Sequence, residues 1–257
     1  MKYGFIGCGN MGSAIAKAMA SQCADLAVTD RSGKAKLLGF PYTTAEEIAG
    51  HAQRIFLGVK PHMMQGVLEK LQPILHEKKP LLITMAAGLT MDKIDAMAGG
   101  GFPVIRIMPN TPTAIGKGVI QYCANELVTE EVLTDWLADM APCGLLDALD
   151  ENLIDAASAL SGSGPAYMYV FLEALADGAV ACGIPRSKAY EYAAMTMVGS
   201  AEMYLQTKTH PGALKDAVCS PGGSTIQGLK ALEEGAFRGT VMNCVAATCN
   251  RNKELGK

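Results

Sequence analysis

The sequence contains no run of about 18 apolar residues in series, so it offers no candidate membrane span. It has no CxxC pair and no Cys/His cluster at zinc spacing. Its eight cysteines, Cys244 and Cys249 included, therefore read as small apolar packing residues in a reducing compartment, and no metal site is expected. There is no basic stripe. Lys78-Lys79 is the longest run of lysines and the net charge is −3, which argues against a nucleic-acid partner. The N-terminus shows no charged, apolar and cleavage regions in series, and the expectation is a cytoplasmic protein. Flexible linkers, low-complexity segments and internal repeats are also missing. Aromatic residues are scarce, with one tryptophan and six phenylalanines against 15 methionines, which suggests an adaptable helical core. What remains is a folded chain: 257 residues, 49% apolar and 18% charged, enough for one large domain or two smaller ones.

The first part alternates short apolar runs with helical patterns. "YGFIG", "LAVTD", "RIFLGV", "LLITMAA" and "PVIRIM" read as strands. "MGSAIAKAMAS", "AEEIAGHA", "MMQGVLEKLQPIL" and "TMDKIDAMA" read as the helices between them. "GVIQYCA", the helix "TEEVLTDWLADMA" and the strand "GLLDAL" complete a mostly parallel sheet wrapped by helices. From about Asn152 no further strand is expected. A long helical pattern broken at "SGSGP" ends at Gly183 with Pro185 beyond it, and helices over "RSKAYEYAAMTMVGSAEMYLQT", "ALKDAVC", "STIQGLKALEEG" and "AFRGTVMNCVAATCNRNKEL" follow. The chain thus divides into an α/β domain over 1–150 and an all-helical domain over 151–257. The second is rich in Ala, Met and Val on more than one helix side. Such helices must be buried, which predicts a homodimer joined through them.

"GCGNMG" (Gly7–Gly12) matches G-x-G-x-x-G in the context its mechanism needs, after a strand and opening a helix. Gly7 permits the tight turn, Gly9 lets a pyrophosphate approach the backbone, and Gly12 lets helix and strand pack closely. The expectation is a Rossmann-like, doubly wound dinucleotide-binding domain; the alternative is a tight turn without a ligand. Strand two ends at Asp30, where an acid usually binds the ribose hydroxyls of NAD. Arg31 and Ser32 follow and suit a 2′-phosphate, although Ser32 also reads as a helix cap. The signals are mixed, and the reading leans to NADPH with NADH tolerated.

Three more loops leave the same predicted sheet edge. "GVKPH" places Lys60 beside a cofactor or anion, or simply at a helix start before Pro61. "MAAGL" ends a strand in small residues, suited to a flat ring or to close packing. "RIMPNTP" brings Asn110 and Thr111 between two prolines, as a cleft wall or a surface turn. "SPGGSTIQGL" (Ser220–Leu229) is a second glycine-rich loop entering a helix, and such a loop can hold an anion. The histidines are scattered, and no ionisable residue stands out as a general acid.

The ordered set "GxGNMG", "VKP", "AAG", "RxMPNTP", "SGSGPAY", "HPGALKDAVCSPGGST" and "FRGTVM…A" resembles the pyrroline-5-carboxylate reductase family over essentially the whole chain. The resemblance implies an NAD(P)H-dependent oxidoreductase acting on a C=N bond. It would reduce cyclic 1-pyrroline-5-carboxylate to L-proline, the last step of proline biosynthesis, in an interlocked homodimer that often builds decameric rings. It places Gly7, Gly9, Asn10, Met11 and Gly12 on the pyrophosphate. Val59, Lys60, Pro61, Ala86, Ala87 and Gly88 would line the nicotinamide side, and Asn110 to Pro112 the floor. Ser220, Gly223, Ser224 and Thr225 would hold the substrate carboxylate, on a loop lent by a partner subunit, and Thr225 would also reach the ring nitrogen. Thr225 and Lys60 are the catalytic candidates, and Glu151 matches a family acid near the substrate. Thr44 and Ala45 stand where family members often carry Asn. Asp30 stands where binders of a 2′-phosphate often have a neutral residue.

Two rivals remain. A β-hydroxyacid-type dehydrogenase shares the layout, but "SGSGPAYMYVFLEALADG" lacks the lysine which that chemistry places there. A non-catalytic dinucleotide-binding sensor would not need "SPGGST".

Overall fold

The computed structural model describes residues 1–255. Seven strands form one sheet in the order β2-β1-β3-β4-β5-β6-β7: β1 Tyr3–Ile6, β2 Leu26–Thr29, β3 Arg54–Leu57, β4 Leu81–Thr84, β5 Val104–Met108, β6 Gly118–Ala124 and β7 Gly144–Ala148. The first five run parallel, β6 is antiparallel to β5, and β7 is parallel to β6. β1, β3, β4 and β5 are buried along their whole length, as strands of a sheet covered on both faces must be. That is why, Arg54 and Arg106 apart, they read as nearly continuous apolar runs rather than as alternation.

The helices α1 Asn10–Met19, α2 Ala45–His51, α3 Pro61–Lys78, α4 Met91–Ala98 and α5 Glu130–Met140 wrap this sheet. One core joins Phe5, Phe56, Ile83, Ile105 and Ile107 to Ile15 and Met19 of α1 and Trp136 of α5. The other joins Ile6, Ile55, Leu57 and Leu82 to Ile48 of α2, Leu68 and Leu75 of α3 and Ile94 of α4. Successive strand residues therefore serve opposite cores, as the period of two requires.

At the amino ends of the strands a polar clamp ties β1 and β3 to α5. The Tyr3 hydroxyl donates to Asp139 at 2.7 Å, and Arg54 Nη1 donates to the Tyr3 oxygen at 2.8 Å and to Asp139 at 3.1 Å.

The remaining helices are α6 Glu151–Ser161, α7 Gly164–Ala181, α8 Arg186–Thr207, α9 Pro211–Ala217, α10 Ser224–Glu234 and α11 Phe237–Leu255. The expected break at "SGSGP" separates α6 from α7. The chain forms two compact units, Met1–Pro165 with the residues from Thr248 onward, and Ala166–Ala247. α6 belongs to the first, because it covers the sheet beside β5 and β6. Asn252 of α11 returns to that unit, where its amide donates to the Asp155 carbonyl at 3.0 Å.

In the second unit almost nothing is buried. Ala176 and Ala189 are, while Val170, Met195 and Met242 are 66–71% exposed. Among the described residues no helix is long and apolar enough to cross a membrane.

Candidate active site

The strand order reverses direction between β1 and β3, and ligands of open α/β sheets bind outside the carboxyl ends of the strands at such a switch point. Two glycines make the crevice there. Gly7 has φ +88°, and a Cβ on it would lie 2.6 Å from the Val59 nitrogen. A Cβ on Gly58 would lie 2.5 Å from the Gly7 carbonyl oxygen. Only glycines let the β1 and β3 loops approach this closely. Gly9, by contrast, has nothing within 4 Å of its Cβ position and faces open space. It is the N-cap of α1 and offers no side chain to the first-turn N–H groups.

The contrast with other helices is informative. α2, α4 and α5 begin at Thr44, Thr90 and Thr129, whose hydroxyls accept from the backbone N–H three residues on. α1 begins on Gly9 with its N–H groups uncapped, as an anion-binding helix start requires. The residues present fit a dinucleotide pyrophosphate.

The acid after β2 is committed elsewhere. Asp30 Oδ2 accepts from the Ser32 hydroxyl and from the N–H groups of Ser32 and Lys34, both at 3.2 Å, and Oδ1 accepts from Ala35 N at 3.1 Å. Slight burial raises its pKa, but these donors outweigh it and hold the carboxyl below its ordinary 3.8. Asp30 thus caps the following 3₁₀ turn, and the Ser32 hydroxyl shares the task, accepting from Lys34 N at 3.4 Å. Arg31, Ser32 and Lys34 are exposed beside it.

Lys60 is the N-cap of α3, exposed, and without an ion-pair partner among the described residues. Val59 is half-buried and Pro61 opens the helix. On the next loop Ala86 is buried and its N–H donates to Thr84 Oγ1 at 3.3 Å, Ala87 is exposed, and Gly88 turns with φ +74°. Asn110 is buried and both ends of its amide are engaged: it donates to the Ser161 carbonyl at 3.0 Å and accepts from Val119 N at 3.0 Å. It braces the β5 loop against α6 and β6. Cys8, inside the glycine turn, is buried, and desolvation pushes its thiol up to about 11, so it is an inert packing group.

Glu151 was expected near the substrate. Its carboxylate accepts from Met91 N at 2.7 Å and from Arg106 at 3.4 Å, and Arg106 also donates to Asp155 at 2.6 Å. Sequence reading missed Arg106, although an arginine inside the apolar run "PVIRIM" was the available signal.

The "SPGGST" loop lies in the second unit. Gly222 has φ +70°, Gly223 N donates to the Ser220 carbonyl at 3.0 Å, and Gly223 starts α10 without a side-chain cap. Ser220, Ser224 and Thr225 are exposed. This repeats the design of α1: a glycine start and uncapped N–H groups. His210 caps α9, accepting from Gly212 N at 3.1 Å.

A doubly wound sheet with a glycine-lined switch point, followed by a helical region, defines a protein built to bind a dinucleotide. Comparison with known proteins sharpens this. Residues 151–255 match the family model described as pyrroline-5-carboxylate reductase dimerisation, and residues 2–88 match NADP oxidoreductase coenzyme F420-dependent. The pyrroline-5-carboxylate reductase of Escherichia coli K12 is 39% identical, over 100% of this chain and 98% of its own length. That of Pisum sativum is 39% identical over 98% and 95%. The crystal structure of Plasmodium falciparum pyrroline carboxylate reductase with NADP bound superposes with a TM-score of 0.91 at 36% identity, covering 100% of this chain and 98% of that one. The chain belongs to the pyrroline-5-carboxylate reductase family. It is an NAD(P)H-dependent oxidoreductase, and its dimerisation region supports assembly into a homo-oligomer.

Proposed function

We propose that this chain reduces the imine bond of 1-pyrroline-5-carboxylate with NADPH to give L-proline, in the cytoplasm, as a homodimer that assembles further into a decamer. The observation that carries this reading is the second glycine-started, uncapped helix, α10, in a chain whose first one fits a pyrophosphate. Residues 1–150 serve the coenzyme, and 151–257 serve dimerisation and the substrate.

Bound coenzyme supplies a hydride to the ring carbon. The chain's own residues do the rest. Gly7, Gly9, Asn10, Met11 and Gly12 hold the pyrophosphate, and Arg31 and Ser32 meet the 2′-phosphate, with Asp30 shaping their turn. Val59, Lys60, Pro61, Ala86 and Ala87 flank the nicotinamide, and Asn110 braces the floor. Ser220, Gly223, Ser224 and Thr225 of a partner subunit take the substrate carboxylate through N–H groups and hydroxyls, and Thr225 also meets the ring nitrogen. The iminium form already carries the proton that the product amine keeps, so no strong acid is needed. Orientation and exclusion of water are the chain's main contribution.

The test is turnover of NADPH and NADH with pyrroline-5-carboxylate by the wild-type protein and by Thr225→Ala. The variant is expected to lose turnover far more than coenzyme affinity. Collapse of coenzyme affinity with unchanged turnover of the bound enzyme would overturn the assignment.

A further inference from the structure

Thr84, Arg106 and Cys123 share one register across β4, β5 and β6. The Arg106 side chain is 1% exposed, and its Nε has no partner among the described residues. A buried ion group is seldom a gain in stability over an apolar side chain of similar volume. Packing alone therefore does not account for an arginine in the middle of β5. The group does supply direction. Asp155 takes one guanidinium nitrogen at 2.6 Å and Glu151 the other at 3.4 Å, and this holds the Glu151 carboxylate on Met91 N at 2.7 Å.

Met91 is the first residue of α4, so its N–H has no partner within the helix. The segment before it carries Ala86, Ala87 and Gly88. Thr84 Oγ1 holds that segment at its near end through Ala86 N, and Glu151 holds it at its far end.

We infer that Arg106 and Glu151 are positioning residues for hydride transfer, acting through the Met85–Thr90 loop that they anchor. This rests on the proposed placement of the nicotinamide against that loop. Glu151 serves the substrate indirectly, by fixing the surface that aligns the hydride donor. A small misplacement of reacting groups is costly, so the effect belongs in turnover rather than in binding.

The experiment uses the full-length protein with Glu151→Ala, Glu151→Gln and Arg106→Lys. In coenzyme-free protein, hydrogen exchange at the Met91 amide is expected to speed up in Glu151→Ala and to stay slower in Glu151→Gln, which keeps an acceptor. With saturating NADPH and pyrroline-5-carboxylate, Glu151→Ala is expected to lose about ten- to a hundredfold in kcat, with little change in KM for NADPH. The isotope effect on kcat with 4-deuterated NADPH should rise, because hydride transfer becomes slower relative to the other steps. Glu151→Gln and Arg106→Lys should fall between. If Arg106→Lys does not fold, the Glu151 pair still decides. Unchanged Met91 exchange overturns the inference. So does faster exchange with unchanged kcat and isotope effect, or a loss of activity that tracks only loss of folded protein. Wild-type protein inactive on pyrroline-5-carboxylate overturns the proposed function, and the Met91 exchange rate reads the anchor independently of it.

Discussion

At the scale of single residues, the coenzyme site depends on where side chains are missing and on what the remaining ones already bind. Gly7 combines a positive φ with a backbone neighbour 2.6 Å from any added Cβ. Gly7→Ala is expected to cost about 1–3 kcal/mol through backbone strain alone, more with the clash, and to weaken NADPH binding. Urea unfolding and a fluorescence titration measure the two effects. Asp30 shows why an acid at this position does not by itself report NAD. Both its oxygens are taken by its own turn, and the residues left facing outward are Arg31, Ser32 and Lys34. Arg31→Ala is therefore expected to lower kcat/KM for NADPH about tenfold, the value of one charge-assisted hydrogen bond, and to change it little for NADH. Steady-state rates with both coenzymes check this. The residue types after β2 were legible in the sequence. Their division of labour was not, because only the folded turn assigns the carboxylate its donors.

At the scale of elements, helix starts divide the labour. Threonine caps close α2, α4 and α5, and α3, α6 and α8 start without a side-chain cap, but α1 and α10 are uncapped starts at a glycine, where no side chain stands in front of the free N–H groups. Periodicity exposed nearly every element, including the break between α6 and α7, since apolar spacing and Gly/Pro punctuation are local properties. Local spacing could not show that β6 turns antiparallel or that α6 joins the sheet, for both depend on partners far away in the chain. The Tyr3–Arg54–Asp139 clamp is of the same kind. Asp139→Ala takes a carboxylate from Arg54 Nη1 and the acceptor from the Tyr3 hydroxyl while Asp135 stays on Nη2, and is expected to cost about 1–3 kcal/mol. Turnover should stay near wild type, because the clamp lies at the strand ends opposite the glycine turn. Its pH window follows from its rim. The hydrogen bond from Arg54 holds Asp135 below its ordinary 3.8, so this contribution is present above that value and is lost as pH falls through the depressed one. The hydrogen bond to Asp139 holds Lys2 above its ordinary 10.5, so that contribution is full below 10.5 and is lost as pH rises through the raised value. The contributions of Asp135 and Lys2 to the urea midpoint of the wild type should therefore be constant between about pH 4 and about pH 10.

At the scale of the whole molecule, the second unit does not bury its own apolar residues. Val170, Tyr192, Met195, Leu205 and Met242 are 57–71% exposed, in helices with no clean polar face. Burial of one such side chain is worth about 1.5–3 kcal/mol, so a handful can offset the cost of association. The protein is expected to sediment as a dimer or a multiple of it, with a Tm that rises with protein concentration. A monomer mass at micromolar concentration in sedimentation equilibrium would contradict this.

The sequence by itself determined the alternation of strands and helices, the glycine turn at Gly7–Gly12, the second glycine loop at Ser220–Thr225 and the family to which they belong. These are carried by residue type and short spacing, which survive without a fold. Tertiary structure alone decided that Asp30 serves its own turn, that Asn110 braces rather than projects, and that Arg106, Glu151 and Asp155 meet on the sheet. Each of these is a choice of hydrogen-bond partner. Asp30 finds its donors within five residues, in the turn the chain folds there, whereas Asn110 and Arg106 find theirs on α6, and those partners are settled only when distant segments pack together.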